Sequence, residues 1–237
     1  MSDLFNVTSP PHVRAKDRTN KIMLYVIIAL LPATVFGIYN FGISALILVA
    51  AAIISAVVSE YIFNIITHRK QTISDLSAVV TGLLLALNVP SSLPVWMIVL
   101  GSAFAIIMVK MLFGGLGQNF MNPALGARCF LLISFAGAMT NYTYDGIATA
   151  TPLALLKSGK AVNTFDMLLG TIPGTIGETS VIAILVGAIF LILMGVIDLK
   201  IPGSYLISFS VFILLFGGHG LDTNYLVAHL CGGGLML

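Results

Sequence analysis

Hydrophobic residues run through most of the chain, and polar residues interrupt them at intervals that match the thickness of a membrane. Residues 22–59 carry no charge, and this stretch is too long for a single membrane-spanning helix of about 20 residues. The Asn40-Phe41-Gly42 tripeptide lies near its middle and can end one helix before the next begins. The pattern therefore predicts two spans, at residues 22–39 and 43–66.

A second uncharged run predicts two more spans. It covers residues 76–109 and is broken at residues 88–94 by two prolines and two serines, which end one helix and begin another. We expect a short third span at 75–88 and a fourth at 95–113. The remaining predicted spans lie at 123–139, 179–197 and 203–217, with an eighth that begins near Tyr225.

The composition identifies the class of protein. Of the 237 residues, 58% are hydrophobic and only 8% are charged, with a mean hydropathy of +1.06, whereas a soluble domain carries about 25% charged residues. The predicted fold class is therefore an all-α integral membrane protein, a multi-span helical bundle with broken helices. The net charge of +2 excludes a nucleic-acid-binding protein, and the isolated histidines and two cysteines indicate no metal site.

The positions of lysine and arginine predict the orientation, because cationic loops are retained in the cytoplasm. The amino-terminal segment, residues 1–21, is cationic and is expected inside. The alternating count of spans places the other flanking cations inside as well: Arg69, Lys70, Lys110, Arg128 and Lys200. The turns at 40–42 and 88–94 are uncharged, and the polar loop 140–178 is predicted outside. We expect a multi-pass membrane protein with a cytoplasmic amino terminus.

The last predicted span raises the question of a repeat. It has about twelve residues, too few to cross ~30 Å of hydrocarbon as a helix, so we expect the natural polypeptide to continue beyond Leu237. Similar Gly- and Leu-rich segments occur at 81–86 and 233–237. If they correspond, the chain holds a five-span repeat at 22–139 and an incomplete, inverted repeat at 179–237. Chance similarity is the alternative.

The first candidate site lies in the predicted outer loop, at residues 145–153. Local chemistry explains it as a turn at Asp145-Gly146 and a helix with Thr151 as N-cap and Pro152 in its first position. The same helix start also favours a phosphate, because free backbone N–H groups and the helix dipole stabilise negative charge there. A phosphate esterified to Thr151 is therefore the functional alternative.

The second candidate site is the glycine-rich segment at residues 113–124, between the fourth and fifth spans. Three glycines, among them Gly117, are followed by amide side chains that include Asn119 and Asn122. An ordinary loop explains this composition, and the alternative is a cavity that binds a ring system or an ion. The segment is not a Walker motif, because no Lys-Ser/Thr pair follows the last glycine.

The third candidate site surrounds the short third span. Asp75 in its first turn complements the helix dipole, and Asn88 lies at its end. Glu60, near the cytoplasmic end of the second span, is expected to reach the surface or to pair with Arg69 or Lys70. Because short, interrupted spans also mark ion sites in transporters, a cation path through Asp75 or Glu60 is the alternative.

Several segments together resemble one known family. They are residues 9–14, 21–23, 29–33, 74–76, 81–90, 117–124 and 145–153. Over its whole length the chain is similar to the D subunits of Rnf complexes, the ion-translocating ferredoxin–NAD oxidoreductases. It resembles more distantly the B subunit of the sodium-pumping NADH–quinone reductase. The resemblance implies a fold like that of urea transporters and a location in a prokaryotic inner membrane.

In that family FMN is bound covalently, through its phosphate, to a threonine in an Asp-Gly-x-Ser/Thr-Gly/Ala-Ala-Thr pattern. The resemblance implies Thr151 as the attachment residue, with Asp145 and Gly146 in the turn that presents it. The sequence departs from the pattern at Ala148 and Thr149, which weakens the match to the separate flavin transferase. Thr149 is the competing acceptor.

The implied function is that of an electron-carrying subunit of a redox-driven Na+ or H+ pump, which is not catalytic alone. The implied partners are flavin- and iron–sulfur-carrying subunits, the flavin transferase, the lipid bilayer and the transported ion. A second, non-covalent flavin such as riboflavin is implied near Gly117, Asn119 and Asn122. A solute channel or secondary transporter without a redox cofactor is the alternative, and a structural anchor that has lost its flavin is another.

Overall fold

The computed structural model describes residues 18–144, 147–148, 151–157, 164–217 and 223–234, and this part of the chain is mostly helical. The helices are α1 (Thr19–Phe41), α2 (Ile43–Ile66), α3 (Ser77–Leu87), α4 (Val95–Phe104), α5 (Pro123–Ser134), α6 (Ala136–Met139), α7 (Pro152–Lys157), α8 (Thr164–Leu169), α9 (Val181–Leu193), α10 (Lys200–Phe216) and α11 (Thr223–His229). A short 3₁₀ turn, Ile73–Asp75, precedes α3. Two π-helical segments extend α4 over Ala105–Met111 and α11 over Leu230–Gly234.

One small antiparallel ladder interrupts the helices. It pairs strand β1 (Thr143–Tyr144) with strand β2 (Ile147–Ala148), in the loop that the sequence predicts outside the membrane. With two residues in each strand, the ladder leaves the fold class helical, as predicted.

Two helices of the described part, α1 and α2, are long and apolar enough to cross a membrane, by length and composition. They have 23 and 24 residues, or about 35 Å each, with a mean hydropathy of 2.3 in both. Large apolar side chains on their outer surfaces are exposed, including Tyr39 (85%) and Ile43 (74%). An apolar exterior of this kind suits lipid and not water.

The predicted breaks between spans are largely confirmed. Gly42 alone separates α1 from α2, and its φ of +70° is a conformation that favours glycine. The segment 88–94 separates α3 from α4 as expected. The span predicted at 123–139 is not continuous, because the chain leaves helical geometry at Phe135 (φ −135°, ψ 47°) and so divides it into α5 and α6.

Helix α3 lies at the centre of the molecule. It has 11 residues, of which nine are buried, and it contacts α1, α2, α4 and α5. Its length of about 17 Å is roughly half of the ~30 Å hydrocarbon thickness. A helix of this length cannot cross the hydrocarbon core alone, so in a membrane at least one of its ends would lie at membrane depth, where exposed backbone is tolerated only if protein surrounds it.

Small residues allow the helices to approach closely. On α2, Ala45, Ala52 and Ala56 are fully buried, and a Cβ added at Gly82 of α3 would lie only 2.7 Å from the carbonyl oxygen of Ala52. Gly187 of α9 allows the same close approach to α1. Such contacts replace the hydrophobic effect as the source of helix association inside a membrane.

The α2–α3 contact yields a first prediction. Gly82→Ala should destabilise the protein by about 1–3 kcal/mol, because the added methyl overlaps the α2 backbone and both helices must shift. The thermal midpoint in detergent, followed by circular dichroism, measures this loss. The matched control is Gly203→Ala in α10, where a Cβ meets nothing within 4 Å. A thermal midpoint for Gly82→Ala equal to or higher than that of the wild type would contradict the packing of α3 against α2.

Candidate functional site

Thr151 lines a cavity of about 190 Å³ near the carboxyl end of α3. Its side chain is half-buried, and the helix α7 begins at the next residue, Pro152, as the sequence predicts. The cavity is formed by Arg128, Tyr142, Thr151, Pro152, Leu153, Ile172, Pro173, Gly174, Glu178 and Gly232. Three other predicted site residues, Asp145, Gly146 and Thr149, lie outside the described residues.

The segment that forms one wall of this cavity is fixed to the end of α3. The Ile176 N–H donates to the carbonyl of Val89 (3.1 Å), and the Gly177 N–H donates to that of Leu87 (2.9 Å). The Thr175 hydroxyl donates to Glu178 Oε2 (3.0 Å) and orients that carboxylate. These bonds satisfy carbonyl groups at the end of α3 and hold the wall in place.

Arg128 brings a positive charge into the cavity. Its Nη1 donates to Asn88 Oδ1 at 3.0 Å, while Asn88 Nδ2 donates to the carbonyl of Leu84 at 2.8 Å. The sequence analysis groups Arg128 with Arg69 and Lys110 on the inside, but the structure separates them. Arg128 reaches the carboxyl end of α3 near Thr151, whereas Arg69 and Lys110 lie near the start of α3. An arginine inside a predicted apolar span was the signal that could have identified it.

The Tyr142 phenol adds a hydrogen-bond donor to the cavity. Burial raises its pKa above the usual value of 10.0, the Glu178 carboxylate raises that pKa further, and the Arg128 guanidinium lowers it. Since the balance is upward, the phenol keeps its proton at neutral pH. The cavity thus offers one cation, one neutral donor and one carboxylate around an accessible threonine hydroxyl.

The glycine-rich segment forms a loop that requires its glycines. Gly114, Gly115 and Gly117 have φ values of +116°, +102° and +86°, which side chains other than hydrogen rarely permit. Asn122 caps α5, because its Oδ1 accepts from the backbone N–H groups of Ala124 (2.9 Å) and the next residue. Asn122 therefore has a structural role at the start of α5 that the sequence analysis did not assign.

Asn119 and Asn122 also line a cavity of about 130 Å³, which Gly117 does not line. Pockets that enclose a small-molecule ligand measure about 300–1,000 Å³. The second, non-covalent flavin remains a prediction, and this cavity is small for one.

A buried ion pair lies at the other end of α3. Lys110 is 2% exposed and Glu60 is fully buried, with 2.7 Å between Nζ and Oε2. Lys110 Nζ also donates to Ser77 Oγ at 2.6 Å. The expected pairing of Glu60 with a loop cation is therefore wrong: Arg69 instead donates to the carbonyl of Met111 (3.3 Å).

Lys110 itself corrects a prediction. The sequence places it as an inside flanking cation of the fourth span, but the π-helical extension of α4 turns it into the bundle. Asp75 lies in the 3₁₀ turn before α3, where its Oδ1 accepts from the backbone N–H (2.8 Å) and the hydroxyl (2.5 Å) of Ser77. Asp75 therefore precedes α3 instead of lying in its first turn as predicted, and its carboxylate pairs one of the free backbone N–H groups at the helix start.

Comparison with known proteins identifies relatives along the whole chain. The model of the NQR2, RnfD, RnfE family matches residues 6–237. The chain is 48% identical to the D subunit of the Na(+)-translocating ferredoxin:NAD(+) oxidoreductase complex of Acetobacterium woodii, over 98% of this chain and 74% of that protein.

Two further relatives carry related names. The D subunit of the proton-translocating ferredoxin:NAD(+) oxidoreductase complex of Clostridium ljungdahlii is 40% identical, over 99% of this chain and 76% of its own length. The D subunit of the ion-translocating oxidoreductase complex of Escherichia fergusonii is 32% identical, over 99% of this chain and 80% of its own length. The names of these relatives differ in the ion that they specify.

The buried ion pair yields a second prediction. Lys110→Met should destabilise the protein by about 3–5 kcal/mol, because it leaves the Glu60 carboxylate buried without its cation. Adding Glu60→Gln to Lys110→Met should recover much of the loss, since no net charge then remains buried. The thermal midpoint in detergent reports both changes.

Lys200→Met is the matched control for the buried pair. Lys200 lies 3.9 Å from Asp198, but both side chains are largely exposed, so removing this pair should leave the midpoint nearly unchanged. If Lys110→Met were as stable as Lys200→Met, the buried charge described here would not exist in the protein.

Proposed function

Because the chain belongs to the NQR2, RnfD, RnfE family, we propose that it is the membrane electron-transfer subunit of a redox-driven Na+ or H+ pump, with FMN esterified to Thr151. The names of its relatives support the first part, since they are subunits of ion-translocating oxidoreductase complexes. The chemistry of the cavity around Thr151 supports the second.

The observation that carries the flavin proposal is the presence of Arg128 in the same cavity as Thr151. A phosphodiester to a threonine bears a negative charge, and a guanidinium is a strong partner for phosphate. The protonated phenol of Tyr142 supplies a further donor for phosphate oxygens. The donors therefore fit the phosphate end of FMN.

The residues have separate roles in this proposal. Thr151 provides the hydroxyl for attachment, Arg128 balances the phosphate charge, and Asn88 holds the guanidinium in place. When bound, FMN supplies one- and two-electron transfer. The cavity of about 190 Å³ is smaller than pockets that enclose a whole ligand, so it suits the phosphate end of the cofactor.

The proposed topology has the amino terminus in the cytoplasm and Thr151 on the outer side. Arg69 and Lys70 follow α2 and support the inside assignment of that end of the bundle. Arg69 contacts the end of the π-helical segment, beside the start of α3, whereas the Thr151 cavity lies at the opposite end of α3. A multi-pass arrangement then separates the two faces across the membrane.

The half-length helices support the finer part of the fold proposal. Helices α3 and α5 have 11 and 12 residues, too few to cross the hydrocarbon core alone. Broken helices of this kind are typical of transporters built from inverted repeats. We include in the proposal a urea-transporter-like fold with repeats at 22–139 and 179–237; part of the second repeat lies outside the described residues.

The remaining proposed partners are the other subunits of the complex and the enzyme that attaches the flavin. We propose that neighbouring subunits with flavin and iron–sulfur centres exchange electrons with this one, and that a flavin transferase loads Thr151. A solute channel is the second candidate function, because the half-length α3 would serve a channel equally well. One simple observation distinguishes the two functions: the flavoprotein is coloured and fluorescent, whereas a channel without a flavin is not.

The third prediction concerns the covalent attachment of FMN to Thr151. After expression with a flavin transferase, the denatured protein should give a yellow-green fluorescent band in a gel. Thr151→Ala should remove the fluorescence, because the acceptor oxygen is gone, whereas Thr151→Ser should keep some of it. A colourless wild-type band would favour the channel, and a fluorescent Thr151→Ala band would move the attachment to another residue such as Thr149.

The role of Arg128 is a fourth prediction. Arg128→Gln should lower the fluorescence per protein by about tenfold, because a charge-assisted hydrogen bond to phosphate is lost. Arg18→Gln is the control, since Arg18 is exposed before α1. Size-exclusion chromatography checks that both variants fold. Full loading of folded Arg128→Gln would remove this arginine from the proposal.

A further inference from the structure

Two cavities approach each other at the amino-terminal end of α3. The first has a volume of about 250 Å³, and its polar lining consists of Asn64, Arg69, Lys70, Thr72, Asp75 and Lys110. The second has a volume of about 130 Å³, and its polar lining consists of Ser77, Thr81, Lys110, Asn119 and Asn122. Lys110 lines both cavities, and its ammonium group bonds to the buried Glu60 carboxylate.

We propose that the Glu60–Lys110 pair is a proton-transfer site that connects these two cavities and forms part of the ion path of the pump. The proposal rests on the proposed function, because electron transfer in the complex supplies the driving force. It goes beyond that function by assigning the path to named residues and the transferred ion to the proton.

Hydrogen bonds link the ion pair to both cavities. Thr72, which lines the first cavity, donates its hydroxyl to Glu60 Oε1 and accepts from Asn64 Nδ2. Lys110 donates to Ser77 (2.6 Å), which lines the second cavity. The hydroxyl, carboxylate and ammonium groups in these contacts can exchange protons, whereas the Asn64 amide positions Thr72.

The first cavity has the polarity to hold water. Asn64 is 1% exposed, and its Oδ1 has no hydrogen-bond partner in the part of the chain that the structure describes. A buried acceptor of this kind needs a donor, and ordered water commonly provides one. Water beside Asn64 and Thr72 would bring protons to Glu60.

Stability does not account for the pair. The cost of removing two charges from water often exceeds their mutual attraction, so an apolar pair of similar volume would serve the fold as well or better. Ionisable residues within a membrane bundle mark proton and ion pathways. Lys110 also lies in a π-helical segment, a distortion that is frequent at functional sites.

The proposed cycle conserves atoms and charge. A proton from the first cavity reaches Glu60 through Thr72 and converts the carboxylate to a carboxylic acid. The Lys110 ammonium releases one proton into the second cavity and becomes an amine. Rotation of the carboxyl group then brings the acid proton, which arrived at Oε1, to face Nζ, and its transfer to the Lys110 amine restores the ion pair. One proton enters and one leaves, and only O–H and N–H bonds change.

The surrounding charges favour a proton over a free metal cation. Arg69, Lys70 and Lys110 line the first cavity with Asp75 as its acidic residue, so the lining is net positive. A Na+ ion would meet repulsion there. The Lys110 ammonium also occupies the position beside Glu60 that such an ion would take.

The decisive variant is Lys110→Arg. Arginine keeps the positive charge and can bond to Glu60, but it does not release a proton at physiological pH. The complete complex is placed in sealed liposomes, and proton and Na+ uptake are measured during electron transfer. We expect proton uptake in Lys110→Arg to fall by about a hundredfold or more, the scale of a positioned proton-transfer group. Lys200→Gln is the control, since Lys200 is exposed.

Proton uptake at the wild-type rate in Lys110→Arg would overturn the proposal. Uptake of Na+ without protons by the wild-type complex would overturn it as well. In-gel flavin fluorescence of the same preparations distinguishes failure of the proposed function from failure of this inference. A colourless wild-type protein contradicts the proposed function. A fluorescent, electron-transferring Lys110→Arg complex with full proton uptake contradicts only this inference.

A second measurement covers the case in which Lys110→Arg does not assemble. Infrared difference spectra of the wild-type complex, taken on reduction, should contain a carboxylic-acid band that shifts in D2O. Glu60→Asp should shift the same band and so assign it. The absence of any such band in the wild type would overturn the proposal without the use of a charge-removing variant.

Discussion

Backbone polar groups cannot be left unpaired inside a membrane, and the half-length helix α3 depends on how its neighbours meet this requirement. At its start, Asp75 accepts from the backbone of Ser77. At its end, Leu87 and Val89 accept from the segment before α9. The helix is therefore held at both ends by other parts of the chain, and the small residues of α2 allow it to lie at the centre.

The same requirement explains where the charges lie. Lys110 and Glu60 are buried beside the start of α3, and Arg128 is bonded to Asn88 at its end. A charge in the interior of a bundle persists only where polar partners surround it. The ends of a broken helix provide such partners, so both candidate sites occur there. One site presents a cation to the proposed phosphate, and the other provides the proposed proton path between cavities.

Local chemistry predicted much of the fold. The break at Gly42, the break at 88–94 and the helix start at Pro152 follow from the conformational limits of glycine and proline, which act within a few residues. The counting of charges beside spans failed at Lys110 and Arg128. That rule assumes that a cation near a span end lies in a loop, whereas both side chains turn into the bundle.

The sequence alone determined the class of protein, the order of its helices and the family, because hydrophobicity, turn chemistry and motif content are properties of the linear chain. Only the tertiary structure decided that Glu60 pairs with Lys110, 50 residues away, and that Arg128 lies in the cavity of Thr151. Such pairings depend on which faces of separate helices meet. That choice is made by the packing of the whole bundle and leaves no mark on the spacing of any one segment.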